Sequence, residues 1–436
     1  MAYLEYRDPL SVWSSPGLVL PPFHFSGQSD WLSFVARFTC AALEYKQKLD
    51  TFEIPIDMSG KSAMDMRQYY QLFGANRVPG QLKDSQKVND KADYVTVVYR
   101  GHFFNMKIMD NNGNRVAPQQ VYSSLYQIVQ HVDQRLGETG QVGLLTTEDR
   151  DSWYEAYNAL KGAGNSKAIG EIENSLFLLC LDEEIKDSTC TLAQTAKNSL
   201  HGLGTAYNGH NRWMDKALQF IIARSGQVAI SNEHSFAEAV PTMNIADFCL
   251  DQISKSNLDG FEYSGSNLQP IKHISFNIDP DVQAKIDQAS KKIDKLHGDL
   301  EMEALDFQTF GKEFIKTCKV SPDSFVQMAI QLAFFKLHQQ PAATYESAAT
   351  RIFNHGRTEV IRSCLPESLA FTEVMTGGEN LNQKLDAFKT AVVAHNTYAR
   401  SAAQGNFAYQ HLFCLNSLLS LISFKKVLEL IVIYKA

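Results

Sequence analysis

The sequence predicts a mixed α/β protein whose second half is almost wholly helical. Three observations carry that expectation. The chain has 436 residues, 44% of them hydrophobic and 20% charged, which is ordinary globular composition with enough apolar material for two domains. Up to about residue 275, short β-type runs alternate with helical spacings. From residue 276 onward amphipathic helical patterns dominate and strand signals are few. The expected division is therefore 1–275 and 276–436.

In chain order, Tyr94–Tyr99 reads as a strand because valine, threonine and tyrosine alternate there, and residues 103–109 repeat the pattern. The Asn111-Asn112-Gly113-Asn114 cluster marks a turn. Residues 142–145 read as a short strand, residues 150–160 as a helix, and the apolar run 176–181 as a buried strand. Residues 211–222 suit a helix or a long strand, and 227–230 a short strand. Apolar Ile245, Phe248, Cys249 and Ile253 have helical spacing. Asn277-Ile278-Asp279-Pro280 opens a new helical pattern, and residues 281–307 are long, charged and amphipathic. Ser321-Pro322-Asp323 is a helix start, with a hydroxyl cap, proline first and an acid in the first turn. The helix it opens is apolar on most faces and is expected to be buried. Further helices are expected at 381–401 and from 407 onward.

Composition excludes several function classes. Forty-one Lys and Arg against 48 Asp and Glu leave a formal charge of −7, which argues against a dedicated nucleic-acid binder. Seven cysteines, at 40, 180, 190, 249, 318, 364 and 414, are odd in number and contain no CxxC pair. That pattern fits structural thiols in a reducing compartment, not a disulfide framework or a zinc site. Residues 1–17 contain no apolar signal core. The most apolar stretch, 413–434, carries Lys425 and Lys426 in its middle, which argues against a membrane span.

Three local features can carry chemistry. In Asn232-Glu233-His234-Ser235-Phe236-Ala237-Glu238 a β-type run delivers a histidine to a polar loop, with a carboxylate four residues later. Histidine suits general base work near neutral pH, and Glu238 can orient the imidazole; a surface histidine beside an acid reads the same way. Lys312 and Lys316, four apart, project from one side of a helical turn and can hold a phosphate, or simply form a solvated face. Thr344-Tyr345-Glu346-Ser347 and Gly356-Arg357-Thr358 gather hydroxyls that can bind a small polar ligand, as many turns do. There is no GxSxG, no P-loop, no dinucleotide fingerprint and no three-residue metal cluster.

The joint order of these features resembles the carnitine/choline acyltransferase family. The matching stretches include Trp13-Ser14-Ser15-Pro16-Gly17, Arg77-Val78-Pro79-Gly80, Asn211-Arg212-Trp213-Met214-Asp215-Lys216, Glu233-His234-Ser235, Gly311-Lys312-Glu313-Phe314, Ala343-Thr344-Tyr345-Glu346-Ser347 and Gly356-Arg357-Thr358. They recur in family order from about residue 10 to 412. The resemblance implies two chloramphenicol-acetyltransferase-like α/β domains, the second incomplete and mostly helical here. It implies reversible transfer of a short acyl (acetyl) group between CoA and the hydroxyl of carnitine. His234 matches the catalytic base and Glu238 the acid after it. Lys312 and Lys316 match lysines at the CoA phosphate, and Asp323 an acid near the adenine end. Tyr345, Ser347 and Thr358 match carnitine-binding positions, Tyr345 and Thr358 at the carboxylate. CoA or acyl-CoA is then a co-substrate, with no permanently bound cofactor and no metal. Carnitine is the partner substrate, and a monomer is expected. Family members occur in the mitochondrial or peroxisomal matrix and in the endoplasmic reticulum.

Departures from the family pattern qualify these expectations. The chain begins inside the pattern, fades from it after Leu412, and diverges from about residue 421. The family's later Ser-Thr-Ser motif is not found. Gln410 stands where carnitine-using members have arginine, while the hydroxyl of Thr358 favours carnitine over choline. Choline O-acetyltransferase and a catalytically silent CoA-binding product are the alternatives. A chain lacking the motif and part of the second sheet is expected to be a poor, marginally stable enzyme.

Overall fold

The computed structural model describes residues 2–110, 113–136, 140–185, 191–256, 260–265 and 270–406. Its contacts divide the chain into two units. Met1–Pro55 with Arg67–Ala304 forms the first, and Ile56–Met66 with Leu305–Ala436 the second.

In the first unit Gly17–Val19 (β1), Tyr94–Tyr99 (β2), His102–Lys107 (β3), Leu178–Asp182 (β4), Leu218–Ala223 (β5), Val228–Asn232 (β6) and Ile271–Ile274 (β7) build one seven-stranded sheet. Its order is β1-β6-β5-β4-β2-β3-β7. β4 pairs parallel with both neighbours, and every other pairing is antiparallel. All five residues of β4 are buried, as a central parallel strand covered on both faces requires. β2 and β3 are joined by Arg100-Gly101, both with positive φ (49° and 70°), the tight turn whose twist suits a hairpin. A side chain at position 101 would meet the Gly140 carbonyl.

Among the helices that cover this sheet are Gln28–Asp50 (α1), Pro118–His131 (α2), Arg150–Gly162 (α3), Ala239–Lys255 (α4) and Pro280–Asp299 (α5), with the shorter Ser166–Glu173 and Leu192–His201 beside them. On one face Val98, Leu178, Cys180, Ile221 and Ala229 cluster with Trp153, Trp213, Ile286 and Ile293. On the other, Phe38 of α1 meets Phe220 of β5 edge-to-face, and α1 packs against α2 and α4.

Three expectations differ in detail. Residues 142–145 are not a strand but part of a 3₁₀ helix, Val142–Thr147. The Thr146 and Thr147 hydroxyls donate back to the Gly143 and Leu144 carbonyls and support that turn, and a four-residue apolar run cannot separate the two states by periodicity. Residues 211–217 form turns, and the strand begins only at Leu218. The division falls after Ala304 and not near Ser275, because α5 buries Val282, Ile286, Ala289 and Ile293 in the first unit's core.

The second unit is mostly helical, with Lys312–Thr317 (α6), Pro322–His338 (α7), the hairpin Glu346–Ala349 (β8) and Thr358–Ile361 (β9), Pro366–Thr376 (α8) and Leu381–Ala403 (α9). Arg351 ties in Ile56–Met66 through the Asp57 carboxylate and the Asp65 carbonyl. Met328, Phe371, Ala391 and Val392 join α7, α8 and α9, while Ala348, Ile361 and Ala402 seat the hairpin on α9. The Ser321 hydroxyl caps α7 as expected. The burial expected for α7 is overturned. Only the stripe Ser324, Met328, Gln331 and Phe335 is covered, while Val326, Ile330 and Leu337 are half or more exposed. The reason is that α8 and α9 contact that one stripe. The helix expected from residue 407, Gln410 and the apolar tail lie outside the described residues.

Candidate active site

β6 ends at Asn232, the chain turns through His234-Ser235-Phe236, and α4 begins at Ala239 with Glu238 as its N-cap residue. His234 is half-buried at this junction. Its Nδ1 lies 3.2 Å from the Ala237 carbonyl oxygen. A carbonyl only accepts, so Nδ1 carries the proton and Nε2 the lone pair. Nε2 faces Glu238 Oε2 at 3.7 Å, close enough for the carboxylate to stabilise an imidazolium. The Tyr3 ring stands edge-on to the imidazole at 4.9 Å, and the Glu238 N–H donates to Gln68 Oε1 at 2.8 Å.

Behind His234 lies a framework of buried charge. Glu233 is fully buried; Arg77 Nη1 donates to its Oε1 at 3.0 Å, and the Ser235 N–H to its Oε2 at 3.1 Å. The Ser235 hydroxyl also donates to that carboxylate, and Gln86 donates to the Ser235 carbonyl at 3.1 Å. Arg77 reaches on to Asp84 at 2.8 Å, where Arg150 also bonds at 2.6 Å. Arg150 continues to Asp215 at 2.7 Å, and the Trp153 indole N–H caps that carboxylate. Burial raises the Asp84 carboxyl, but Arg150, the Gly80 N–H and Arg77 outweigh it and hold the group below its ordinary value. Burial pushes Asp215 up to about 6, with Arg150 opposing. Lys216, fully buried, donates to the Glu173 and Ser175 carbonyls, and burial pulls it down to about 7.

In the second unit Lys312 and Lys316 occupy the first and last turns of α6, both exposed, with Lys316 3.0 Å from Glu313. Asp323 is exposed in the first turn of α7. Thr358 pairs with Ala349, and Ser347 sits two residues before Ala349 on the same strand. Ser347 and Thr358 therefore share one face of the β8–β9 hairpin, and Tyr345, two residues before Ser347, continues that alternation. Glu346 and Ala348 point the other way, toward α9, where His395 bonds Glu346 at 3.1 Å.

The structure thus brings His234 to Glu238, and Ser347 to Thr358. Arg77, Asp84, Arg150, Asp215 and Glu233 were not singled out by sequence reasoning. Arg77, Asp215 and Glu233 were present as charges inside the Arg77-Val78-Pro79-Gly80, Arg212-Trp213-Met214-Asp215-Lys216 and Glu233-His234-Ser235 stretches, while Asp84 and Arg150 lie in none of them, and nothing in one sequence pairs the five. A metal-capable trio, Asp323, Glu346 and His395, was missed because its members come from three separate elements.

Residues 1–433 match the choline/carnitine O-acyltransferase family model. Human carnitine O-acetyltransferase is 35% identical over 425 residues, covering 95% of this chain and 67% of the relative; the pigeon (Columba livia) enzyme of that name is 36% identical with the same coverage. Human choline O-acetyltransferase is 32% identical over 435 residues, covering 95% of this chain and 57% of its own length. The chain belongs to the choline/carnitine O-acyltransferase family.

Proposed function

We propose that this chain transfers a short acyl group, acetyl in the first instance, reversibly between CoA and the hydroxyl of carnitine, with His234 as general base. The observation that supports it most is the tautomer at His234. The Ala237 carbonyl holds the proton on Nδ1, which makes Nε2 the basic nitrogen, and Glu238 stands beside it. In the direction of acylcarnitine formation, the carnitine oxygen attacks the thioester carbonyl as Nε2 takes the hydroxyl proton. The tetrahedral oxyanion collapses, the C–S bond breaks, and the CoA sulfur takes the proton back from the imidazolium. In the reverse direction Nε2 takes the thiol proton. The acyl group passes directly between substrates, with no covalent intermediate on the protein. Carnitine is favoured over choline by the three hydroxyl side chains around β8–β9, Tyr345, Ser347 and Thr358, since hydroxyls suit the carboxylate that choline lacks. Lys312 and Lys316 supply the positive charge for a CoA phosphate.

The choline reading is kept as the second, because choline O-acetyltransferases are also among the relatives above 30% identity. Turnover of acetyl-CoA with carnitine and with choline separates the two. His234→Ala is expected to lower turnover by about 10²–10⁴-fold, the range for a positioned base, with CoA affinity within a few-fold. Retained turnover in His234→Ala would remove His234 from this role. A choline rate above the carnitine rate would replace the substrate.

A further inference from the structure

The second unit holds a polar cluster of which the acyl-transfer reading uses only Asp323, as an acid expected near the adenine end of CoA, and leaves Glu346 and His395 without a role. His395 on α9 is fully buried, Glu346 opens β8 and is half-buried, and Asp323 stands in the first turn of α7. Their ligand atoms all lie within 4.8 Å of one another. Among the described residues no other group of three or more His, Cys, Asp or Glu side chains gathers in this way.

Hydrogen bonding sets the state of the histidine. The Ser324 hydroxyl lies 3.1 Å from Asn396 Oδ1 and 2.9 Å from His395 Nδ1. An amide oxygen only accepts, so Ser324 donates to Asn396 and accepts from Nδ1–H. Neutral His395 then carries its lone pair on Nε2, which faces Glu346 Oε2 at 3.1 Å. A lone pair and a carboxylate oxygen at that distance repel unless a positive charge stands between them or on one of them. The Asp323 carboxylate adds a second negative charge to the same point. The Ser363 hydroxyl, 3.4 Å from Glu346 Oε2, helps to fix that side chain. A zinc-class ion with nitrogen and oxygen ligands at about 2.0–2.2 Å holds neighbouring ligands about 3.3–3.5 Å apart; Glu346 Oε2 and His395 Nε2 stand 3.1 Å apart, and all three ligand atoms lie within 4.8 Å of one another. An imidazole whose other nitrogen is held by a protein acceptor is also the usual arrangement behind a metal-bound histidine.

We propose that Asp323, Glu346 and His395 form a binding site for a divalent transition cation of the zinc class. The imidazole selects a borderline cation over Mg²⁺ or Ca²⁺, which prefer all-oxygen sites. Ser324 is the residue that positions the imidazole, and solvent can complete the coordination on the exposed Asp323 side. Asp323 is also the acid expected near CoA, so the test uses the full chain without CoA and rests on Glu346 and His395.

The experiment is a titration of chelator-stripped protein with ZnCl₂ by calorimetry, with MgCl₂ as the comparison. One Zn²⁺ per chain is expected at this site, with no comparable Mg²⁺ binding. Glu346→Gln and His395→Gln should each remove that binding event. Ser324→Ala, which keeps all three ligands, should weaken it about 10–100-fold. His395 is buried and its variant can fail to fold; Glu346→Gln, half-buried, then carries the test, with its fold checked by circular dichroism. Zinc uptake by Glu346→Gln equal to the parent's, or no uptake by the parent, overturns the proposal and leaves a proton as the charge that holds the cluster.

Discussion

The candidate residues of the two units are held in opposite ways. His234 in the first unit is backed by Glu233, Arg77, Asp84, Arg150 and Asp215, all nearly fully buried and linked carboxylate to guanidinium. Lys312, Lys316, Tyr345 and Ser347 in the second stand exposed, and the one ion pair among them, Lys316 with Glu313, is itself exposed. The contrast follows from the demands on each group. A general base must hold its nitrogen within a few tenths of an ångström of a proton path, which needs a rigid support. A lysine that meets a phosphate or a hydroxyl that meets a carboxylate can be ordered by the ligand itself, and water solvates it while no ligand is bound, so it needs no built-in partner. The first site is therefore expected to respond to mutation through structure, and the second through affinity.

The largest effect that sharpens this contrast is expected from Arg77→Met. Removing the guanidinium leaves Glu233 as a buried charge without its partner, which typically costs about 3–5 kcal/mol. Asp84 keeps Arg150 and Arg7, so the loss centres on the loop that carries His234. All four tryptophans, Trp13, Trp31, Trp153 and Trp213, lie in the first unit, so denaturant unfolding followed by their fluorescence reads it alone. Turnover should fall as well. The double variant Arg77→Met/Glu233→Gln removes the lone charge and should regain part of the stability. A double variant no more stable than Arg77→Met would show that the charge pairing is not what supports the loop.

A smaller effect is expected from acid. His201 is fully buried; its Nδ1 accepts the Leu203 N–H at 3.1 Å, a bond that protonation would break. Burial, with the nearby His297, Lys197 and Arg212 charges, pulls its pKa down to about 4. The folded histidine stays neutral where the unfolded one, near 6.5, is already charged. The unfolded chain then binds more protons between pH 6.5 and 4, and stability present above that window is lost as pH falls through it. The unfolded histidine is only half charged at pH 6.5, so the step from pH 6.5 to 5 costs about 1.6 kcal/mol for this one group. His201→Gln should flatten the slope of tryptophan-detected stability against pH over that window. An unchanged slope would assign the acid response to other groups.

How much of this was legible beforehand depends on the range of the interactions. β2, β3, β4 and β6 could be read because alternation or a short apolar run is a local signal, and α7's cap because Ser-Pro-Asp is local too. His234 and Glu238 could be read because they are four residues apart. The framework behind them could not, since Asp84, Arg150 and Glu233 meet only after the sheet has formed, and single charges otherwise read as surface. α7 illustrates the opposite error. Its composition suggests burial, but burial depends on which elements pack against it, and only one stripe is covered.

The smallest and most specific effect is expected at α6. If Lys312 and Lys316 act through affinity alone, Lys312→Ala should weaken CoA without changing the tryptophan-detected stability of the first unit. Both lysines are exposed, so each interaction with a phosphate is screened, and the expected loss is about 1 kcal/mol, or about fivefold, per lysine at physiological salt. Lys316 must also give up Glu313, a pair at 3.0 Å, so Glu313→Gln should tighten CoA slightly while Lys316→Ala weakens it. Calorimetric titration with CoA and with dephospho-CoA checks this directly. If the phosphate that these lysines meet is the 3′-phosphate, which dephospho-CoA lacks, the two ligands should differ in the parent and converge in Lys312→Ala. Equal weakening of both would assign the lysines to the fold of α6, and the contrast between a structural first site and an affinity-only second site would fail at this helix.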